Sequence, residues 1–110
     1  MTDSLVMRSA REQLRGLEDR EFSARELLDA HVEQMDRFNA TLNAVVSQDL
    51  DRAVDAAAAV DEARVAGLPC GPLAGLPMSI KDTHATAGLR TTYGAKLFAD
   101  NVPPADDEIV

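Results

Sequence analysis

Apolar and polar residues follow a helical period through the first third of the chain. Leucine, valine and alanine recur at helical spacing near residues 4–17, which predicts a first helix with charged residues on its other face. The segment from Ser23 to Glu26 has the pattern of a capping box, in which each of these two side chains binds the other residue's backbone N–H. A second helix is therefore predicted to begin there, with Phe22 as a hydrophobic staple, and to extend to about Asn39.

The middle of the chain predicts a strand, a helix and a second strand. Residues 44–47 form a short apolar run typical of a buried strand, and residues 78–81 begin as another. Between them the spacing predicts a helix over residues 50–66, with Gly67 at the position where a glycine stops a helix. The alanines of this helix indicate close packing against a flat surface such as a sheet. This order of elements is typical of a βαβ unit, so the predicted fold class is α/β.

Glycine and proline divide the sequence into a helical part and a loop-rich part. All five prolines and five of the six glycines lie at or after Gly67. Residues 1–66 are therefore predicted to form a helical layer containing the strand near residues 44–47, and residues 67–110 a strand and loop region. The prolines, acids and apolar residues of the last stretch are typical of a beginning helix. Because one helical turn is unstable alone, this pattern predicts an interrupted element and an incomplete domain, with a frayed acidic tail as the alternative.

Composition and charge narrow the function. The 110 residues carry 19 acidic and 11 basic side chains, a net charge of -8, which argues against a nucleic-acid or membrane partner. The single cysteine, Cys70, excludes an intramolecular disulfide framework and a multi-cysteine zinc site, and fits a reducing compartment. No apolar run is long enough to span a bilayer, and the first residues lack the signal-peptide pattern. We therefore expect a soluble cytoplasmic protein.

Lys81 is the residue whose position most directly suggests chemistry. It follows an apolar run at the end of the second predicted strand and is followed by Asp82. Burial disfavours the ammonium form of lysine, and a neutral amine is a usable general base for activating a hydroxyl nucleophile. A lysine at a strand end is nevertheless more often a solvated surface residue. His31 is interpreted as a packed boundary histidine and Cys70 as inert, and no function is assigned to His84.

The stretch around Lys81 resembles a known hydrolase signature. Residues 71–82 read GPLAGLPMSIKD, which is similar to the Gly-Pro-Leu-x-Gly-Ile/Val-Pro-x-x-x-Lys-Asp segment of the amidase signature family. The similarity continues through the Thr-Thr-x-Gly segment at residues 91–94, although Ala95 stands where the family often has serine. It also extends back to residues 23–28 and 42–46, so that nearly the whole chain is covered.

The resemblance implies a specific role for Lys81. The family hydrolyses a carboxamide to a carboxylate and ammonia or an amine with a Ser–cis-Ser–Lys triad, in which Lys81 corresponds to the base. The two serines and the oxyanion-hole glycines lie in a downstream Gly/Ser-rich segment, and no serine of this chain lies in such a segment. Asp82 corresponds to the residue after the lysine, and we expect it to orient the local loop. No cofactor and no metal are implied.

The same resemblance sets expectations for fold and partners. Residues 1–110 would be the N-terminal part of one amidase domain, holding helices and the first strands of a mixed sheet covered by helices. The partner would be a small-molecule amide, homo-oligomerisation stays open, and the chain alone is expected to be inactive. Two alternatives remain: the amidase subunit of a tRNA-dependent amidotransferase, and a non-enzymatic acidic helical interaction module.

Overall fold

A computed structural model describes residues 5–110 of the chain. Three α-helices lie wholly within these residues, and a short 3-10 helix follows late in the chain. The elements are α1 (Ala10–Glu18), α2 (Ala24–Leu42), α3 (Leu50–Val65) and the 3-10 helix Lys96–Phe98.

The described residues divide into two compact units. The first unit contains the described residues up to Leu42 together with Leu50–Pro77, and therefore all three α-helices. The second unit contains Asn43–Asp49 and Met78–Val110, and therefore Lys81 and the loops that follow it.

Helix α1 begins later than the periodicity predicts. The predicted helix at 4–17 includes Ser4, which lies outside the described residues; within them, α1 starts at Ala10. The cause is a capping box: the Ser9 hydroxyl accepts a hydrogen bond from the Glu12 amide (3.3 Å), and the Glu12 carboxylate accepts one from the Ser9 amide (2.8 Å). These bonds satisfy N–H groups that have no partner inside the helix, and so place its first turn.

The capping box predicted for α2 is confirmed. Ser23 N–H donates to the Glu26 carboxylate (2.8 Å), and Glu26 N–H donates to the Ser23 hydroxyl (3.0 Å). Asp61 of α3 adds a tertiary cap, since its two carboxylate oxygens accept from Ala24 N–H (2.7 Å) and Arg25 N–H (3.1 Å). The N-terminus of α2 is therefore held both by its own sequence and by the neighbouring helix.

Gly67 ends α3 as predicted. Its φ of 68° is in the left-handed region, which glycine adopts without the steric penalty that other residues meet. Gly67 N–H donates to Arg64 C=O (3.1 Å) and Leu68 N–H donates to Ala63 C=O (2.9 Å). This pair of bonds is a Schellman motif, which satisfies the last carbonyl groups of the helix.

The core of the first unit lies where α1, α2 and α3 meet. Its buried members are Leu17, Phe22, Ala24, Leu27 and Ala57. Phe22, the predicted staple, is only 8% exposed. The prediction that the alanine-rich α3 packs on a sheet is wrong for the described residues, because α3 packs on α2. Small side chains such as Ala24 and Ala57 permit this close approach.

The two predicted strands are absent from the described part of the chain. Residues 44–47 and 78–81 have no regular secondary structure, and the β-pairing found within 5–110 is an isolated bridge between Thr86 and Leu89. A strand requires hydrogen bonds to a neighbouring strand, and neither segment has such a neighbour here. The α/β prediction is therefore corrected to a helical fold with loops for residues 5–110.

The helix predicted to begin near the end of the chain is also absent from residues 5–110. Val110 N–H donates to Asp107 C=O (2.9 Å), which closes a turn. The acidic side chains accept hydrogen bonds from a distant loop instead of capping a helix: Asp106 accepts from Ala87 N–H (2.6 Å) and Asp107 from Ala85 N–H (2.7 Å). These carboxylates thereby order the loop that follows Lys81.

Candidate active site: the Lys81 loop

The segment leading to Lys81 begins with two turns in the first unit. Hydrogen bonds from Ala74 N–H to Gly71 C=O and from Leu76 N–H to Leu73 C=O, both 3.1 Å, close these turns. The turn signals of the glycines and prolines in this segment are therefore confirmed.

Gly75 lies where these turns approach the core. Its φ is +90°, a left-handed value that disfavours side chains. A Cβ atom at Gly75 would lie 3.1 Å from Leu17 Cδ1, 3.2 Å from Ala24 Cβ and 3.4 Å from Val60 Cγ1. Both the backbone conformation and the available space therefore require glycine at this point of the signature.

Lys81 is exposed in the second unit. Its backbone C=O accepts a hydrogen bond from His84 N–H (3.0 Å), which closes a turn directly after it. The expectation of a lysine delivered by a buried apolar strand is wrong for the described residues, because Ile80 before it is 40% exposed and no strand forms. Residues 5–110 therefore do not supply the burial that would favour a neutral amine.

Asp82 is anchored to the double threonine. Its carboxylate accepts hydrogen bonds from Thr92 N–H (2.9 Å) and from the Thr92 hydroxyl, and its backbone C=O accepts one from Tyr93 N–H (2.8 Å). The Thr92 hydroxyl and amide bonds hold the pKa of the Asp82 carboxyl below its ordinary value, with the Arg90 charge acting in the same direction. Asp82 thus orders the loop, as the sequence predicts.

Thr91 and Asn101 form the other fixed point of this loop. Thr91 is 2% exposed, its N–H donates to Asn101 C=O (2.9 Å), and the Asn101 side-chain amide donates back to Thr91 C=O (2.9 Å). Sequence reasoning did not identify these bonds. The adjacent threonines were the available signal, since a buried hydroxyl requires a hydrogen-bond partner.

The remaining candidate residues lie apart from this loop or carry no role in it. His31 is half-buried on α2, its Nε2 lies 3.3 Å from Gln13 Oε1, and burial lowers its pKa. This environment confirms a packed boundary histidine. Cys70 is also half-buried, with its Sγ 3.7 Å from Leu68 C=O. His84 lies 3.8 Å from the Asp107 carboxylate, measured from Nδ1.

Comparison with known proteins identifies the class. The amidase family profile matches residues 26–110, and the chain therefore belongs to the amidase family. Its curated relatives share one more specific name. A glutamyl-tRNA(Gln) amidotransferase subunit from Salinispora tropica is 45% identical over 111 aligned residues, covering 100% of this chain and 22% of the relative. The protein of the same name from Synechococcus sp. (strain CC9605) is 42% identical over 93 residues, covering 84% of this chain and 19% of the relative.

A third relative extends the pattern to a more distant sequence. The glutamyl-tRNA(Gln) amidotransferase subunit of the same name from Aromatoleum aromaticum is 38% identical over 106 residues, covering 96% of this chain and 21% of that protein. The chain thus spans about a fifth of the length of these curated relatives. Among residues 5–110, no helix has the length and apolar character needed to cross a membrane.

Proposed function

We propose that this chain supplies the general base, Lys81, to the amidase subunit of an amidotransferase. The observation that carries the proposal is the GPLAGLPMSIKD segment at residues 71–82, which lies inside the family match and puts Lys81 at the position of the family's base. The names of the relatives favour an amidotransferase over a stand-alone amidase. Family membership also disfavours a purely non-enzymatic acidic interaction module.

In the proposed reaction, the neutral Lys81 amine accepts a proton through the cis serine from the nucleophilic serine. The serine oxygen attacks the carboxamide carbon, the C–N bond breaks, and ammonia leaves after taking up the transferred proton. Water then cleaves the acyl-enzyme ester to give the carboxylate and regenerate the serine. Lys81 is the one member of this triad that the chain contributes, because both serines belong to the downstream segment of the family.

The surroundings of Lys81 support burial by further protein. Met78 and Ile80 are 65% and 40% exposed, although both are large apolar side chains directly preceding the lysine. Further parts of an amidase domain would cover these side chains and pair with residues 44–47 and 78–81 to form the mixed sheet. Such cover would also desolvate Lys81, the condition that favours a neutral amine.

The relatives are subunits, so the proposal includes a protein partner. In that setting the released ammonia serves an acceptor held by the partner, and a small carboxamide is the substrate of this subunit. The charge of this chain gives no support for direct contact between residues 1–110 and tRNA, since acidic side chains outnumber basic ones 19 to 11.

A hybrid enzyme tests the proposal. In this hybrid, the 110-residue chain replaces the matching segment of the Salinispora tropica relative, which is assembled with its own partner subunits. L-glutamine serves as the primary carboxamide, and ammonia release is measured. Lys81→Ala is expected to lower kcat by about 10²–10⁴-fold, the range for loss of a general base.

The matched control is Lys96→Ala, because Lys96 is also an exposed lysine of the second unit. We expect this variant to retain the activity of the unmodified hybrid. A Lys81→Ala hybrid as active as the Lys96→Ala hybrid would refute the proposed role. The 110-residue chain alone should release no ammonia from aryl or aliphatic amides, and turnover that disappears in its Lys81→Ala variant would contradict its predicted inactivity.

A further inference from the structure

The backbone that directly follows Lys81 is held by two residues about ten positions away. Thr92 donates both its N–H and its hydroxyl to the Asp82 carboxylate, and Tyr93 N–H donates to the Asp82 carbonyl (2.8 Å). We propose that Asp82 and Thr92 form a positioning pair, which fixes the backbone at Lys81 so that its amine reaches the reacting serines. This inference rests on the function proposed above.

The bonds between Asp82 and Thr92 are of a kind that fixes geometry well. Thr92 is only 9% exposed, so its hydroxyl is shielded from competing water. Hydrogen bonds to an ionised carboxylate are about twice as strong as bonds between neutral groups. Two such bonds to one carboxylate restrict both the Asp82 side chain and the peptide that joins it to Lys81.

The Lys81 side chain itself is not fixed in this way. The residue is exposed, and the hydrogen bond that it receives from His84 N–H is made by its backbone carbonyl. A lysine side chain is a flexible four-carbon stem, so the place of its backbone determines which atoms the amine can reach. Catalysis is sensitive to this placement, because a misplacement of about 1 Å can lower a rate about 100-fold.

The test uses the hybrid enzyme with kcat expressed per active site, counted from the burst of acyl-enzyme. Thr92→Val removes the hydroxyl and keeps the N–H and the side-chain shape, and is expected to lower kcat about tenfold. Asp82→Ala removes both carboxylate bonds and is expected to lower kcat about 100-fold. In both variants KM should change less than about twofold, since the pair acts on the base and does not touch the substrate.

Two variants separate positioning from general stabilisation. Thr92→Ser restores the hydroxyl and should recover kcat to within about twofold of the unmodified hybrid. Asp106→Asn alters a carboxylate of the same unit that also accepts a backbone N–H, from Ala87 (2.6 Å), and should leave kcat per active site unchanged. The double variant Asp82→Ala/Thr92→Val should be no slower than Asp82→Ala alone, because both changes remove the same bond.

The outcomes distinguish this inference from the proposed function. If Lys81→Ala retains activity, the proposed function fails and the positioning role fails with it. If Lys81→Ala is inactive while Thr92→Val and Asp82→Ala keep full kcat per active site, the positioning role alone is overturned.

Hydrogen exchange of the 110-residue chain provides a second measurement that does not depend on the hybrid. Asp82→Ala should speed exchange of the Thr92 amide about tenfold or more, because it removes the acceptor of that N–H. Unchanged Thr92 exchange would also overturn the pair.

Discussion

A methyl group added at Gly75 meets two separate obstacles, and their sizes can be predicted. The left-handed backbone, with φ of +90°, costs a non-glycine residue about 1–2 kcal/mol. The added Cβ would also lie 3.1 Å from Leu17 Cδ1 and 3.2 Å from Ala24 Cβ, and overpacking of this kind costs about 1–3 kcal/mol. Gly75→Ala is therefore expected to lower the free energy of unfolding by about 2–5 kcal/mol.

Two other glycines of the same unit separate the contributions. Gly67 also has a left-handed φ, +68°, but a Cβ there would have no atom within 4 Å, so Gly67→Ala should show the backbone penalty of about 1–2 kcal/mol alone. Gly71 has an equally open environment and no left-handed φ. Gly71→Ala should therefore be neutral or stabilise the chain by about 0.4–1 kcal/mol through the unfolded state.

Urea denaturation followed by circular dichroism measures all three variants against the unmodified chain. The expected order of stability, from highest to lowest, is Gly71→Ala, then Gly67→Ala, then Gly75→Ala. Equal losses for Gly67→Ala and Gly75→Ala would show that Gly75 does not pack against the core. Equal stability of Gly75→Ala and Gly71→Ala would refute the backbone penalty as well.

Three further predictions concern the helix cap, the acidic loop and the exposed lysine. Ser23→Ala should lower the free energy of unfolding by about 1 kcal/mol in the same denaturation assay, and an unchanged midpoint would contradict the cap. The lowered pKa of Asp82 means that its contribution to stability is complete above the ordinary pKa and is lost as pH falls through the folded pKa. An NMR titration should therefore show the Thr92 amide shifting at a pH below that of an unperturbed aspartate, and a shift at the ordinary value would be inconsistent with the bond. Lys81→Ala should change stability by less than about 0.5 kcal/mol, because the side chain is exposed; a larger loss would reveal contacts absent from this structure.

Local sequence signals predicted the helices and their ends better than the packing between segments. The capping box of Ser23 and Glu26 and the stop at Gly67 involve residues within a few positions of one another, so their patterns are visible in the sequence. The box at Ser9 has the same spacing and could have been identified. Periodicity alone extended the first helix past it.

The strand predictions failed for a non-local reason. An apolar run such as residues 44–47 becomes a strand when a neighbouring strand accepts and donates hydrogen bonds, and residues 5–110 supply no such neighbour. The acids at 106–107 were misinterpreted for a related reason. Their side chains accept bonds from Ala85 and Ala87, in a loop about twenty positions earlier that no local pattern indicates.

The candidate site shows the same division. Lys81 and Asp82 were identified from a contiguous segment whose order of residues resembles a family signature. The partner of Asp82 was not identified, because Thr92 lies ten positions away and reaches it through a loop. The structure adds this anchoring, and it corrects the expected burial of Lys81.

Lys81 is proposed to be the base that activates the serine nucleophile, and this role can be measured directly. The measurement is the rate of acyl-enzyme formation in a single turnover of the hybrid enzyme, comparing Lys81→Ala with Lys96→Ala. Acylation should slow by about 10²–10⁴-fold in Lys81→Ala and be unchanged in Lys96→Ala. Acylation at the same rate in both variants would contradict the proposed role.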